Sequence, residues 1–224
     1  MKINEIKKKI RSDIRQLVLV IKKIDELDKT KNYKLIDVGA GEKYLEHLLP
    51  KNIKYKSLDY AGDHDYIFDL DKGRLPIKNN SFDIVVCTET LEHTLYPDRI
   101  MKELIRIGKK DALFVLSMPN EYNFWIRLQY LFNIKNVCQE SFKTTTNHLH
   151  IHSPRAKDIL KFFSKYLDID EVYYGWHSWS SVKGGIKGII GKVADGLIDM
   201  LAKICPSLFA RTVAVSGRAK AEKN

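Results

Sequence analysis

Cysteine is scarce in this sequence, and no two cysteines have the C-x-x-C spacing. Cys87, Cys138 and Cys205 are an odd number, which favours neither a disulfide framework nor a cysteine zinc site. Long apolar runs are also missing, because no stretch approaches the roughly 18 residues of a membrane span. These absences exclude a disulfide-rich scaffold and an integral membrane protein, and we expect a cytoplasmic location.

The charge is unbalanced toward lysine and arginine. Lys+Arg 38 against Asp+Glu 28 gives +10, which would attract nucleic acid, anionic lipid or an acidic metabolite. The lysines are scattered, however, and no basic run alternates with aromatic residues, so a solvated surface is favoured and nucleic acid is a disfavoured partner. With 224 residues, 44% of them apolar, we predict a single domain over residues 1–224.

The pattern of apolar residues predicts a doubly wound α/β fold. Short apolar runs that read as strands occur at 34–38, 53–58, 66–68, 82–87 and 112–117. Helical spacing lies between several of them, at 45–49 and 97–107, and over 1–30 before them. Strands separated by helices imply a mostly parallel sheet with helices on both faces. Residues 33–175 form the predicted core, and the last strand, at 211–216, is predicted to be antiparallel and to follow a helical insertion at 180–208.

Four acidic residues stand at or just past the ends of the first four predicted strands: Asp37, Asp59, Asp69 and Glu89. Ligands of open parallel sheets bind at this edge. Asp37 precedes the turn Gly39-Ala40-Gly41, but Tyr44 occupies the place of the third glycine of a dinucleotide motif, which disfavours NAD. S-adenosylmethionine carries an ammonium and a sulfonium, and an acid before the turn suits it.

Several motifs together resemble the class I S-adenosylmethionine-dependent methyltransferases, in particular the small-molecule branch called type 11. The first is Leu35-Ile36-Asp37-Val38-Gly39-Ala40-Gly41, and the second is Leu75-Pro76 followed by Ser81-Phe82-Asp83-Ile84-Val85. The others are Leu91-Glu92-His93 with Pro97, Met118-Pro119-Asn120, and His148-Leu149 before Ser153-Pro154. The resemblance covers about residues 33 to 175 and implies S-adenosyl-L-methionine as the cofactor.

The resemblance also implies a role for each candidate cofactor residue. The methionine end is assigned to Asp37, Val38, Gly39, Ala40 and Gly41, and the ribose to Asp59 and Tyr60. Asp69 and Leu70 would frame the adenine, with Asp71 as an alternative to Asp69, and Thr88 and Glu89 would line the sulfonium side. One departure is Lys43, which stands where the family often has a further glycine.

The candidate acceptor residues are mainly histidines. His93 is the candidate catalytic base, and packing beside the cofactor is its alternative role. His148, His150 and His152 alternate, and we expect one or two of them, His148 and His150 first, to line the acceptor pocket. We expect no metal, because no carboxylate or cysteine is near them in the sequence. Trp125 is a candidate for the pocket wall, along with Tyr130, Trp176 and Trp179, or for outer-helix packing.

These observations predict methyl transfer from S-adenosylmethionine to a small-molecule or lipid-linked acceptor, with oxygen as the accepting atom. The amphipathic segment 186–204 either caps the sheet or contacts a membrane surface peripherally. Two alternatives stay open: a nucleic-acid-binding module of the methyltransferase type, and a relative that binds the cofactor without turnover. The oligomeric state is not predicted.

Overall fold

The computed structural model describes residues 16–132, 150–175, 196–198 and 200–221. The strands are β1 Tyr33–Val38, β2 Ile53–Asp59, β3 Tyr66–Ile67, β4 Phe82–Thr88, β5 Gly108–Pro119, β6 Leu167–Gly175 and β7 Thr212–Ala219. The α-helices are α1 Leu17–Asp25, α2 Pro97–Ile107, α3 Phe124–Leu131, α4 Ala156–Phe163 and α5 Pro206–Phe209. None of the helices within these ranges is long and apolar enough to cross a bilayer. Several predicted features lie outside them: the helix before residue 16, His148, Trp176, Trp179, the side chain of Tyr130 and the insertion up to residue 195.

All seven strands belong to one sheet, in the order β3-β2-β1-β4-β5-β7-β6. Strands β1 to β5 are parallel, whereas β7 is antiparallel to both of its neighbours, β5 and β6. The predicted fold class is therefore confirmed, including the antiparallel last strand. The chain winds outward from β1 through β2 to β3, then returns to β4 on the other side of β1. This reversal between β1 and β4 opens a crevice at the carboxyl ends of the strands.

Alternating side chains of the central strands form two cores, one on each face of the sheet. Leu35 and Ile84 face α1, whose Val18, Leu19 and Val20 are fully buried. The next residues along the strands point to the opposite face, where they pack with α2 and α4. Helices thus cover both faces, as predicted.

The connection from β1 to β2 differs from the prediction. A helix was expected at 45–49, but the structure has a single 3-10 turn, Glu46–Leu48. The glycine turn uses the first residues of this short connection and Pro50 stops any helix, so too few residues remain for an α-helix. Leu45 is buried and the following leucines pack only in part. Consequently no α-helix N-terminus follows the glycine turn, so the N–H groups that such a terminus would offer to an anionic ligand are not available there.

Helix α4 begins later than its sequence suggests. Ser153-Pro154 is a typical N-cap followed by a first helical residue and indicates a start at Pro154, but Arg155 is the N-cap and Ala156 is the first helical residue. The reason is a tertiary contact: the Ala156 N–H donates to Asn120 Oδ1 at 3.2 Å. This contact fixes the helix start from a residue at the end of β5.

We predict that Asn120→Ala lowers the free energy of unfolding by about 2 to 4 kcal/mol. The Asn120 side chain is buried, and its Nδ2 donates to the Ala210 carbonyl at 2.7 Å, so truncation leaves a buried donor and acceptor without partners. Urea unfolding measures the change. The control is Asn52→Ala, which removes an exposed hydrogen bond to the Lys31 carbonyl and should cost less than about 1 kcal/mol. Equal losses in the two variants would contradict the prediction.

Candidate active site

An open cleft of about 1130 Å³ lies at the carboxyl edge of the sheet, where the strand order reverses. Loops that follow β1, β2 and β4 form most of its wall. Of the predicted cofactor residues, the cleft is lined by Gly39, Gly41, Asp59, Tyr60, Asp69, Leu70 and Glu89, and the candidate base His93 lines it too. The predicted residues Asp37, Val38, Ala40 and Thr88 are not among the lining residues. The structure therefore brings most, but not all, of the predicted set to one surface.

Gly39 and Gly41 of the turn have different structural roles. Gly39 has φ +76°, and a Cβ there would lie 2.2 Å from Thr90 Oγ1. Gly41 has φ +49°, yet a Cβ would meet nothing within 4 Å. Gly39 is thus required for packing against the loop after β4, whereas Gly41 leaves its backbone open to the cleft.

Asp59 holds the glycine turn against the end of β2. Its Oδ2 accepts from the Gly41 N–H at 2.9 Å and its Oδ1 from the Tyr60 N–H at 2.7 Å. Each carboxylate oxygen has a second lone pair. The side chain can therefore accept ligand hydroxyls while it keeps the turn in place.

Asp37 lies behind the cleft wall. Only 4% of it is exposed, and its Oδ2 accepts from the Tyr55 hydroxyl at 3.1 Å. The pKa of Asp37 is raised to about 7, mainly by burial; the Tyr55 hydrogen bond opposes this shift, and the negative charge of Asp59 contributes to it. Its influence on a ligand in the cleft is therefore electrostatic and does not rest on a lining contact.

Asp69 and Asp71 both line the far end of the cleft. Asp69 caps a 3-10 turn, Leu70–Lys72, by accepting from the Asp71 N–H at 3.0 Å. Asp71 accepts from the Leu95 N–H, with both carboxylate oxygens at 3.0 Å from the nitrogen. Both carboxylates thus accept hydrogen bonds from main-chain N–H groups of the surrounding loops, and both line the cleft.

Glu89 directly follows β4 and has a strained backbone, φ +50°. Oε1 of this half-buried side chain accepts from Ser117 Oγ at 2.9 Å and from Thr212 Oγ1 at 2.6 Å. Burial raises the pKa of this carboxyl, and the two hydroxyl donors oppose the shift. The carboxylate is therefore fixed by β5 and β7 beside the cleft.

The histidines form two separate arrangements. His93, at the end of the 3-10 helix Leu91–His93, lies edge-on to His150, with ring centroids 4.6 Å apart. The Nδ1 of His150 is 2.5 Å from Glu121 Oε1. His152 turns elsewhere, and its Nε2 is 2.9 Å from the Thr94 carbonyl oxygen. His150 and His152 therefore contact different partners, and neither is among the residues that line the cleft.

Trp125 is not part of the cleft. It lies on α3, is 50% exposed and does not line the cleft. The neighbouring Phe124 stacks on Phe209 of α5 with centroids 6.2 Å apart. The outer-helix interpretation fits this position better than the pocket-wall interpretation.

The sequence analysis missed several lining residues. They are Glu42, Lys43, Leu58, Ala61, Gly62, Asp63, His64, Lys72, Thr90, Thr94 and Ile151. The lining residues of the loop after β2 could have been predicted, because they directly follow Asp59 in the sequence. Ile151 had no such signal, because it reaches the cleft through a tertiary contact: its N–H donates to the Glu92 carbonyl at 2.8 Å.

Comparison with solved structures shows which known proteins share this fold. The fold resembles a protein described as a methyltransferase, from Haloferax volcanii in complex with the Trm112 methyltransferase activator (16% identity, 93% of this chain and 92% of that chain, TM-score 0.56). It also resembles the YcgJ protein of Bacillus subtilis (15%, 93% and 99%, 0.56) and an S-adenosylmethionine-dependent methyltransferase from Mesorhizobium loti (13%, 92% and 99%, 0.55). The chain has the fold of these methyltransferases.

A family model gives the narrower assignment. The model of the methionine biosynthesis protein MetW matches residues 21–166, which is more than half of the chain. The chain belongs to the MetW family. No curated protein matches it by sequence.

We predict that Lys43→Gly raises the melting temperature, by about 2 °C. Lys43 has φ +52°, which glycine adopts at less cost, and its Nζ pairs with the fully exposed carboxylate of Asp63 at 3.0 Å. Such an exposed pair stabilises little. Lys43→Ala is the control, because it removes the pair but keeps the strain. Thermal unfolding of the three proteins should rank the glycine variant first, and a glycine variant less stable than the alanine variant would contradict the argument.

We predict that the stability of the wild type relative to Asp37→Asn falls by about 2 to 3 kcal/mol between pH 5 and pH 8. The pKa of Asp37 is raised to about 7 in the folded chain from 3.8. The folded state therefore holds a proton over this range that the unfolded state has lost, and this contribution to stability disappears as the pH rises through 7. Asparagine can still accept from Tyr55 and does not titrate. Urea unfolding of both proteins at each pH measures the difference, and a pH-independent difference would refute the prediction.

Proposed function

We propose that this MetW-family chain binds S-adenosyl-L-methionine and transfers its methyl group to a small-molecule or lipid-linked acceptor, with oxygen as the accepting atom. The observation that carries the proposal is the cleft at the β1–β4 crevice, where Gly41 leaves the backbone open and Asp59 stands beside it. The proposal includes membership of the type 11 small-molecule branch and a cytoplasmic location with peripheral membrane contact.

The charge of the cleft supports this cofactor over its competitors. Its lining includes six carboxylates, on Glu42, Asp59, Asp63, Asp69, Asp71 and Glu89, against two lysines, Lys43 and Lys72. S-adenosylmethionine carries a net positive charge, so the field of the cleft attracts it, whereas the phosphates of NAD or nucleic acid are repelled. The lack of an α-helix N-terminus after the glycine turn removes the usual pyrophosphate site as well.

The reaction is a nucleophilic displacement. The acceptor oxygen attacks the methyl carbon, a C–O bond forms as the C–S bond breaks, and the electron pair of that bond neutralises the sulfonium to give S-adenosylhomocysteine. The acceptor gives up its hydroxyl proton to a base or to solvent. Because the chemistry needs alignment above all, we attribute most of the catalysis to the fixed walls of the cleft. His93 lines the cleft, and this position supports it as the candidate for the base.

We predict that calorimetric titration shows micromolar binding of S-adenosylmethionine and S-adenosylhomocysteine and none of NAD. Asp59→Asn should weaken binding about tenfold or more, because it removes an acceptor for ligand hydroxyls. Gly41→Ala should also weaken cofactor binding, because the added methyl group would project into the open space of the cleft where the cofactor is proposed to lie. Asp168→Asn, which removes an exposed acid on β6, is the control and should bind normally, and the melting temperature of each variant reports on folding.

A labelled-methyl screen over phenols, quinols, sugars and lipid-linked acceptors then separates the alternatives. Transfer to one class establishes the acceptor. Cofactor binding without transfer to any acceptor would support the non-catalytic alternative, and a salt-dependent shift of DNA or RNA would support the nucleic-acid alternative. Absence of binding to S-adenosylmethionine would overturn the proposal.

A further inference from the structure

Three potential metal ligands meet beside the cleft. Glu92, His93 and His150 each offer one ligand atom, and these atoms all lie within 4.8 Å of one another. Glu92 and His93 follow β4, whereas His150 comes from a distant part of the chain. Two main-chain hydrogen bonds fix this approach, because the N–H groups of Ile151 and His152 donate to the Glu92 carbonyl at 2.8 and 3.0 Å.

The carboxylate of Glu92 is buried. Its side chain is 1% exposed, and among the residues that the structure describes none donates a hydrogen bond to Oε1 or Oε2. Leaving such a group unpaired is costly, and buried charges in proteins are ordinarily paired or bound to a metal. Glu92 Oε1 lies 3.8 Å from His93 Nε2, which is too far for a hydrogen bond but leaves room for a shared ligand.

Glu121 is not one of the three potential ligands, but its carboxylate contacts the ring of His150. Its Oε1 is 2.5 Å from His150 Nδ1, which leaves Nε2 as the other ring nitrogen. Metal-binding histidines commonly donate their second ring N–H to a carboxylate, which fixes the tautomer and the ring orientation. His150 has this partner already in place, and the Glu121 side chain is 9% exposed.

We propose that Glu92, His93 and His150 bind a divalent ion of the first transition row, such as Mn²⁺, Fe²⁺, Co²⁺ or Zn²⁺. Two imidazoles and one carboxylate suit these ions better than Mg²⁺ or Ca²⁺, which prefer all-oxygen sites. Metal–ligand bonds of about 2.0 to 2.2 Å place any two ligand atoms no more than about 4.4 Å apart. The three ligand atoms here lie within 4.8 Å of one another, so small side-chain rotations bring them within bonding distance of one ion. The expectation of no metal rested on the lack of a nearby carboxylate in the sequence, and the fold supplies Glu92.

The site also deepens the proposed function, on which this further step rests. Because His93 lines the cleft, the ion faces the acceptor side and can bind the acceptor oxygen. A bound hydroxyl has a lowered pKa, so its proton leaves to solvent before the oxygen attacks the methyl carbon. His93 is then a metal ligand and not the general base.

The test is titration of the full chain, after treatment with a chelator, with MnCl₂, CoCl₂, ZnCl₂ and MgCl₂ alone. We expect one transition ion per chain with micromolar affinity, weaker binding of Mg²⁺, and cobalt absorption bands typical of mixed nitrogen and oxygen ligands. Glu92→Gln should weaken binding by at least about 100-fold, and Glu121→Gln by about 10- to 100-fold. His47→Asn, which removes an exposed histidine outside the cluster, should bind as the wild type does.

Thermal unfolding distinguishes a variant that has lost the ion from one that fails to fold. Glu92→Gln replaces a buried carboxyl with a neutral amide of nearly the same shape, so without metal it should be about as stable as the wild type. Metal should raise the melting temperature of the wild type and not that of Glu92→Gln. His93→Gln, at a partly exposed position, provides a second variant that should lose the ion. Absence of ion binding, unchanged binding in Glu92→Gln, or a preference for Mg²⁺ would overturn the site. Binding of S-adenosylmethionine to the chelated protein is measured separately, so failure of the metal site and failure of the proposed function are distinguishable.

Discussion

The parallel pairing of β1 with β4 is the constraint from which the site follows. In this register Asp37 lies opposite Val86, so both strands end at the same edge of the sheet. The chain leaves β1 toward one side of the sheet and leaves β4 toward the other, and the two loops cannot fill the space between them. The turn after β1 and the loop after β4 therefore face each other across one cleft, and a change in this pairing would separate the residues that line it.

The loop after β4 connects the two halves of that cleft. On one side, Thr90 packs where Gly39 has no side chain, so the glycine turn and this loop fit only together. On the other side, the Glu92 carbonyl accepts the two N–H groups that bring His150 close. A loop of a few residues thus sets the position of the glycine turn and of the proposed metal ligands, which explains why a strained residue such as Glu89 is tolerated at its start.

The sequence predicted those features that depend on local pattern or on parallel topology. Helix 97–107 was predicted at the bounds that the structure shows, because its apolar spacing and Pro97 are local signals. The acids at strand ends were predicted to converge because parallel strands share an edge. By contrast, the prediction of a helix at 45–49 was wrong. The spacing of apolar residues does not show that the glycine turn already uses the first residues of this short connection. The burial of Asp37 and the pairing of His150 with Glu121 could not be predicted, because both depend on contacts between distant residues.

The acidity of the site connects binding with stability. Asp37 and Glu92 are buried and Glu89 is half-buried, and loss of contact with water raises the pKa of each carboxyl. Such groups cost free energy when they ionise and few donors or cations compensate the charge, so they add little to the stability of the chain without ligand. A ligand that brings a sulfonium and an ammonium, and an ion that lies between Glu92 and the histidines, would each compensate this charge. Any ligand that binds only the folded state stabilises that state. The proposed cofactor and the proposed ion would therefore both gain affinity, because each compensates negative charge that the fold holds away from water.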